Sequence, residues 1–233
     1  FEGANIRCGM PAVSGAIDHV FVEDGVLAYT WISSSTGRAA GPVGLCGSAI
    51  LDTVRVLLET GLLSYTGRLD GSSADPVGQR MTMVDGKPAF VLEDGSVHTV
   101  PRPILLRQED IREVQGAKAA IAAGIETLLS VAGLEPGQID EVFLAGGFGN
   151  YLDPDSAIAI GLLPGAFAGR IRAAGNTAGI GAAMCLLSMN AFDQAADVAR
   201  RTEYIELSAD PGFADRYVDA MIFPGEPGDG REG

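Results

Sequence analysis

Residues 141–154 read EVFLAGGFGNYLDP, in which a short apolar run is followed by three glycines within four residues. The apolar run predicts a β-strand that is buried on both faces. Glycine loses conformational entropy on folding and supplies no packing, so these positions need a backbone without side chains. Two explanations stay open: a tight turn that requires a positive φ, or a ligand that lies against the backbone.

This glycine turn differs from the common nucleotide-binding signatures. It does not read G-x-G-x-x-G, and it follows too long a helical segment to open a dinucleotide-binding unit. The sequence G-x-x-x-x-G-K-S/T occurs nowhere in the chain, which excludes a Walker-type phosphate loop. The turn does lie at the C-terminal end of an apolar strand, which is where an open α/β sheet places its ligand crevice.

The rest of the chain predicts a mixed α/β fold. Hairpins are predicted over residues 19–32, turning at 23–25, and around 93–95, where AFVL and SVHTV would pair. Hydrophobic periodicity predicts a helix within 37–63 that ends at Gly61 and a long helix over 108–133 that ends at Gly133.

The C-terminal part is predicted to hold three further helices and a last strand. One helix lies around residues 155–160, and a second begins with Asn176 or Thr177 as its cap. The strand is predicted at YIELS, 204–208, and the third helix from about Pro211. We expect one domain over residues 1–223 and a disordered tail over 224–233.

Composition excludes several classes of partner. The 233 residues carry a net charge of -14, so the surface should repel nucleic acid and anionic membranes. No apolar run is long enough to span a bilayer. Three widely spaced cysteines argue against a disulfide framework, a zinc site or an iron–sulfur cluster built by this chain alone, and favour the cytoplasm. The absence of a starting Met indicates a piece of a longer protein.

Other candidate residues are ambiguous when taken singly. Gly47 and Ser48 begin a helix whose free N–H groups could receive a phosphate, although a close approach of helix and strand explains them equally well. Lys118 is predicted on the solvent-exposed face of the long helix. His19 and His98 are interpreted as ordinary strand histidines. Ser48 lies in no nucleophile signature, which argues against a serine hydrolase.

Four segments together resemble a known family. They are FEGANIRCGMPAVSGAID, GPVGLCGSAILDTVRVLLETGLL, QEDIREVQGAKAAIAAGIETLL and EVFLAGGFGNYLDPDSAIAIGLLP, spread over most of residues 1–190. In order and spacing they resemble the C-terminal actin-like ATPase (ASKHA) region of the ferredoxin-linked reductive activators of corrinoid proteins. The resemblance implies a ribonuclease-H-like core, with a mixed sheet flanked by helices and hairpin insertions.

The resemblance also implies a function. Such a protein uses ATP or ADP with Mg²⁺ and carries an electron from an N-terminal [2Fe-2S] domain to the cobalt of a corrinoid methyl-carrier protein. Gly146, Gly147 and Phe148 match the adenosine motif of the superfamily, and the resemblance places Lys118 and the helix start at Gly47 and Ser48 near the same cleft. The phosphate loop and the iron–sulfur segment would lie before Phe1. Whether the parent protein forms a homodimer stays open.

Two alternatives remain. The chain could be an interaction platform that docks a corrinoid protein without nucleotide, with a purely structural glycine turn. It could also be a small-molecule kinase of the same superfamily. The kinase is disfavoured because no sugar-binding cluster of Asp, Asn and Trp is recognisable, and the one tryptophan, Trp31, lies in a predicted hairpin strand. For this chain alone we expect weak nucleotide binding or none, and no hydrolysis.

Overall fold

The computed structural model describes residues 5–33, 41–70 and 76–225. The strands are β1 Ala16–Glu23, β2 Val26–Trp31, β3 Gly44–Leu45, β4 Met81–Val84, β5 Lys87–Glu93, β6 Ile104–Arg107, β7 Val142–Ala145 and β8 Ile171–Gly175. The helices are α1 Gly47–Glu59, α2 Gln108–Ala132, α3 Gly146–Tyr151, α4 Pro154–Ala159, α5 Thr177–Leu187, α6 Met189–Arg201 and α7 Phe213–Ala220. The predicted mixed α/β class is confirmed.

The first sheet has the strand order β2-β1-β3 and is mixed. Strands β1 and β2 form the predicted hairpin, and β3 pairs with β1 in parallel. Asp24 and Gly25 have φ values of 50° and 77°, the left-handed backbone that tight hairpin turns require. Helix α1 packs on β1 and buries ten of its 13 residues, so this sheet and helix form the centre of the core.

The second sheet is antiparallel, in the order β4-β5-β6, and here the predicted hairpin was wrong. The turn lies at Asp85 and Gly86, not at 93–95. Glu93 is buried and accepts hydrogen bonds from the Tyr29 hydroxyl and the Gly95 N–H, so its side chain ends the strand. His98 therefore lies in a loop instead of a strand, with its ring 4.6 Å from that of Trp31.

Helix α2 has the predicted bounds, and both ends are fixed by local chemistry. Asp110 accepts a hydrogen bond from the Arg107 N–H at 2.8 Å, and Gly133 ends the helix with φ at 66°. Its predicted apolar stripe is only partly buried. Ile111 and Val114 are fully buried, whereas Leu128 near the other end is 52% exposed.

The three helices predicted in the C-terminal part are present as α4, α5 and α7, whereas α3 and α6 were not predicted and the predicted strand is absent. Residues 204–208 form no strand; the Glu206 carboxylate accepts from the Ser208 N–H and starts a short turn at Leu207–Ala209. This local bond competes with extended pairing. Helix α7 begins two residues after the predicted start. The predicted disordered tail, 224–233, falls outside the described residues from 226 onward.

No described helix combines the length and the apolar composition that a membrane span needs.

The burial of α1 gives a stability prediction. Leu57→Ala should lower the free energy of unfolding by about 3 kcal/mol, because the fully buried side chain leaves a cavity. Leu128→Ala removes the same atoms from a half-exposed helical position and should cost less than about 1 kcal/mol. Urea denaturation of both variants measures the difference, and equal losses would contradict the described core.

Candidate functional site

The candidate site lies where two parallel strands end. Strands β7 and β8 pair in parallel, from Val142 with Ile171 to Ala145 with Gly175. Because parallel strands end at one edge of a sheet, helices α3 and α5, which follow them directly, begin at that same edge. Helix starts carry free N–H groups, so this edge suits an anionic or polar ligand.

The three glycines of the turn differ in backbone conformation and in the space around them. Gly146 has φ at 89°, a backbone that side chains strain. A Cβ on Gly149 would lie 3.3 Å from the Leu144 carbonyl carbon, so a close approach explains this residue. Gly147 is exposed, its φ is not positive, and an added Cβ would meet no atom of the described residues within 4 Å. Backbone strain at Gly146 and a tight contact at Gly149 favour glycine, whereas no described atom gives a steric reason for Gly147.

The strand β7 was predicted to be buried on both faces, and this prediction was wrong for the described chain. Phe143 is 61% exposed, whereas its neighbours Val142 and Leu144 pack against the core. The backbone of Phe148 lies in α3 directly after the glycine pair. Across the edge, Asn176 caps α5 by accepting from the Gly179 N–H at 3.0 Å, as one of the two predicted caps.

Gly47 and Ser48 do begin a helix, but both are buried. The Ser48 hydroxyl donates to the Asp18 carbonyl at 2.7 Å, and the preceding Cys46 N–H donates to the Ile17 carbonyl at 3.0 Å. These bonds attach the start of α1 to β1. The bond from Ser48 agrees with a close approach of helix and strand, and a phosphate site at this helix start stays a prediction.

Lys118 lies beneath residues 222–223. The prediction of a solvent-exposed position was wrong, since Lys118 is 1% exposed. Its amine donates to the Ile222 carbonyl at 2.6 Å and lies 5.2 Å from the centre of the Phe223 ring. Burial lowers the pKa of Lys118 to about 8. Periodicity within α2 could not reveal this, because the cover comes from residues about a hundred positions away.

A polar pocket of about 400 Å³ is the feature that sequence reasoning missed. It lies between the β1–β2 hairpin, α1 and α4. His19, interpreted as an ordinary strand histidine, has its Nδ1 3.2 Å from the Asp52 carboxylate. The same carboxylate accepts from the Val20 N–H at 3.2 Å, and burial raises the pKa of Asp52 above its ordinary value.

Ser156 lies between two carboxylates in this pocket. Its hydroxyl oxygen is 2.7 Å from Asp52 and 2.9 Å from Asp153. The Ser156 hydroxyl is thus the donor to both carboxylates, which share its single proton. Arg55 also binds Asp153, at 3.1 Å, and the cluster joins α1 to α4.

The comparisons with known proteins fit this architecture. A family model described as the C-terminal domain of RACo, the ASKHA domain, matches residues 1–229. The chain belongs to this family. The predicted resemblance to the ASKHA region of corrinoid activators is thereby confirmed.

Two relatives of this ASKHA domain are informative. The chain is 35% identical over 226 residues to the "Corrinoid activation enzyme RamQ" of Eubacterium limosum, covering 95% of the chain and 37% of that protein. It is similar to a solved structure, a "Reductive activator for corrinoid,iron-sulfur protein", with a TM-score of 0.83 and 34% identity, covering 97% of the chain and 35% of that structure. The chain spans about a third of the length of both relatives.

The ASKHA domain brings only part of the predicted site together. Gly146, Gly147 and the backbone of Phe148 share one sheet edge with Asn176. The described contacts of Ser48 and Lys118 lie elsewhere, on β1 and on residues 222–223. In the described ranges, no group of three or more His, Cys, Asp or Glu residues could hold a metal ion.

The glycine pair gives a second stability prediction. Gly146→Ala should lower the free energy of unfolding by about 1–2 kcal/mol, because alanine is strained at a φ of 89°. Gly147→Ala should keep it or raise it by about 0.5 kcal/mol, since the new methyl group meets open space in a helical turn. Chemical denaturation tests the pair, and a larger loss for Gly147→Ala would contradict this geometry.

Lys118 gives a pH prediction. Its pKa is about 8 in the folded chain against 10.5 for the ordinary value, so between these pH values the unfolded chain binds more protons. The free energy of unfolding should therefore rise with pH from about 8 to 10.5, relative to a Lys118→Met variant. Urea denaturation at pH 7 and pH 9.5 measures this difference. A difference that is independent of pH would disprove the assignment.

Proposed function

We propose that the chain supplies the adenosine side of an ATP cleft in a protein that reductively activates a corrinoid methyl-carrier protein. The single observation that carries the nucleotide part is Gly147, a glycine for which the described residues give no steric reason, at the open edge where β7 and β8 end. Membership of the ASKHA family supports it, as do the names of both relatives.

The residues at this edge fit a nucleoside. Gly146 turns the chain sharply and Gly147 presents a bare backbone, so a planar base or a ribose can lie flat against it. The start of α5, at Thr177, offers N–H groups across the same edge. Bound ATP would supply the free energy for the uphill electron transfer, and this chain would position its adenosine.

Hydrolysis needs groups that the described residues do not offer. Phosphoryl transfer depends on a metal ion and on charges positioned around the phosphates. The described segments contain no metal-binding cluster, and Lys118 is covered by residues 222–223. We therefore propose that Mg²⁺ and the catalytic groups for hydrolysis are held by another part of the intact protein, and that this chain alone binds nucleotide weakly and hydrolyses none.

The electron carrier is placed on another part of the intact protein for a similar reason. Cys8 and Cys46 are buried and free, and Cys185 is partly exposed. We propose a [2Fe-2S] cluster in a domain other than this one, and a cytoplasmic location, which is supported by three unpaired cysteines.

A docking platform is the second candidate, and one observation favours it. Helices α5 and α6 contain no buried residue, although α5 is strongly apolar. Their most exposed apolar residues are Ile180, Met184, Leu186, Leu187, Met189, Phe192 and Val198. Exposed apolar surface of this kind is typical of an interface. In the docking function, a corrinoid protein would bind without nucleotide.

The first experiment is a calorimetric titration of Mg²⁺-ADP into the chain and its Gly147→Val variant. Weak binding by the wild type should be lost in the variant, because the branched side chain fills the space against the backbone. Gly137→Val is the matched control, since Gly137 is also exposed and unhindered but lies before β7, at the other end of the strand.

The outcomes separate the two functions. Binding that Gly147→Val removes and Gly137→Val keeps would support the nucleotide function. Equal binding by all three proteins would disprove the site at Gly147. A complex with a corrinoid protein that forms without nucleotide and tolerates Gly147→Val would favour the docking platform.

A further inference from the structure

The C-terminal residues 213–224, here called the strap, run along α2. Three backbone groups of the strap form hydrogen bonds to the rest of the chain. Gln115 donates to the Met221 carbonyl at 2.8 Å, Lys118 donates to the Ile222 carbonyl at 2.6 Å, and the Phe223 N–H donates to the Tyr65 carbonyl at 2.9 Å.

Only one side chain of the strap is buried, although Arg216 also donates to Thr127 and Ser130 of α2 at 3.2 and 3.3 Å. Phe223 is 1% exposed, and it is the only buried residue in the described stretch 201–225. Helix α7 itself has no buried residue. Because apolar burial is the main force that holds segments in place, a segment with one buried side chain belongs to the least stable part of a fold. The strap is thus suited to detach while the core stays folded.

The residue under the strap carries a charge without a counter-charge. In the described part of the chain, Lys87 forms an ion pair with Glu109, whereas Lys118 contacts a carbonyl and an aromatic ring. A buried ammonium group is costly unless it is paired, and a carbonyl offers only a partial charge. An anionic ligand group would be a stronger partner at the same place.

Gly161 allows the strap and the lysine to meet. Its φ is 72°, and an added Cβ would lie 3.2 Å from Pro224 and 3.3 Å from the Lys118 amine. A residue with a side chain would push the strap away. The Gly161 turn, α2 and the strap thus enclose one small polar site around Lys118.

We propose that the strap is a displaceable cover, and that a phosphate-type oxyanion replaces the Ile222 carbonyl against Lys118 when the strap detaches. The ligand class follows from the charge of Lys118 and the polar Gln115 beside it, which is also released from the strap. The inference rests on the proposed nucleotide function only for the source of the oxyanion, which is either the phosphates of ADP or a free anion.

Because the chain has only two lysines, the protection of Lys118 by the strap can be measured against Lys87. Amine acylation followed by mass spectrometry compares Lys118 with Lys87, whose side chain is 61% exposed. In the wild type, the acylation rate of Lys118 should be lower than that of Lys87 by about tenfold or more. Phe223→Ala should bring its rate close to that of Lys87. Val218→Ala, at an exposed position of α7, is the matched control and should leave Lys118 protected.

The cysteines report whether the variant is folded. Cys8 and Cys46 are buried in the core and should stay unreactive in Phe223→Ala. Slow acylation of Lys118 in a folded Phe223→Ala protein would overturn the proposal. If Phe223→Ala unfolds, the milder Phe223→Leu replaces it. An acylation rate of Lys118 in Phe223→Leu that lies between the rate of Lys118 in the wild type and the rate of Lys87 would support the proposal, and an unchanged rate would overturn it.

Hydrogen exchange tests the ligand on the wild type. Inorganic pyrophosphate should speed exchange of residues 213–224 by about tenfold, and Lys118→Met should abolish the effect. Acceleration by pyrophosphate and ADP alike supports the proposal. Acceleration by pyrophosphate alone supports the displaceable cover but counts against the nucleotide function. Acceleration by ADP alone supports the cover and identifies the nucleotide as the source of the oxyanion. Unchanged or slower exchange with both ligands overturns it.

Discussion

The buried carboxylate of Asp52 is the interaction on which the placement of the candidate site depends. It projects from the middle of α1 and binds the Val20 backbone and His19 on one side and Ser156 of α4 on the other. Since α4 follows α3 after two residues, this contact also holds the segment that leaves the glycine turn. A polar group in the core thus fixes an orientation that apolar packing alone would leave free.

Burial is distributed unevenly along the chain. The first two thirds supply nearly the whole core, with α1 at its centre, whereas the stretch from 172 to 225 buries Phe223 alone among its described residues. An apolar helix such as α5 cannot be explained by the described chain itself. The same holds for Phe143 on the outer face of β7. Both lie next to the edge proposed for the nucleoside.

Much of the fold could be predicted from the sequence because its signals are local. The hairpin at Asp24 and Gly25, the ends of α1 and α2, and the cap at Asn176 each follow from residues within a few positions of one another. The glycine turn of the candidate site was predictable for the same reason, because a glycine pair directly after an apolar run indicates the end of a strand. The resemblance to a family added the identity of the fold.

The errors share a different cause. Glu93 ends β5 because Tyr29 meets it from 64 positions away, and Lys118 is buried because Ile222 and Phe223 meet it from over a hundred. Asp52 and Ser156 are likewise 104 positions apart. Pairings over such separations depend on tertiary packing, which periodicity and turn chemistry do not encode. The same limit explains why residues 204–208, which have a strand-like composition, form none.

The length of α2 has a mechanical consequence. Its 25 residues form a rod of about 37 Å, with the second sheet at its first turn and Arg216 of α7 bonded near its last turns, to Thr127 and Ser130. A tilt of about 5° at Gln108 would move the far end by about 3 Å, as the geometry of such a rod requires. Helix α2 can therefore act as a lever that converts a small movement of the β4–β6 sheet into a displacement of the opposite end.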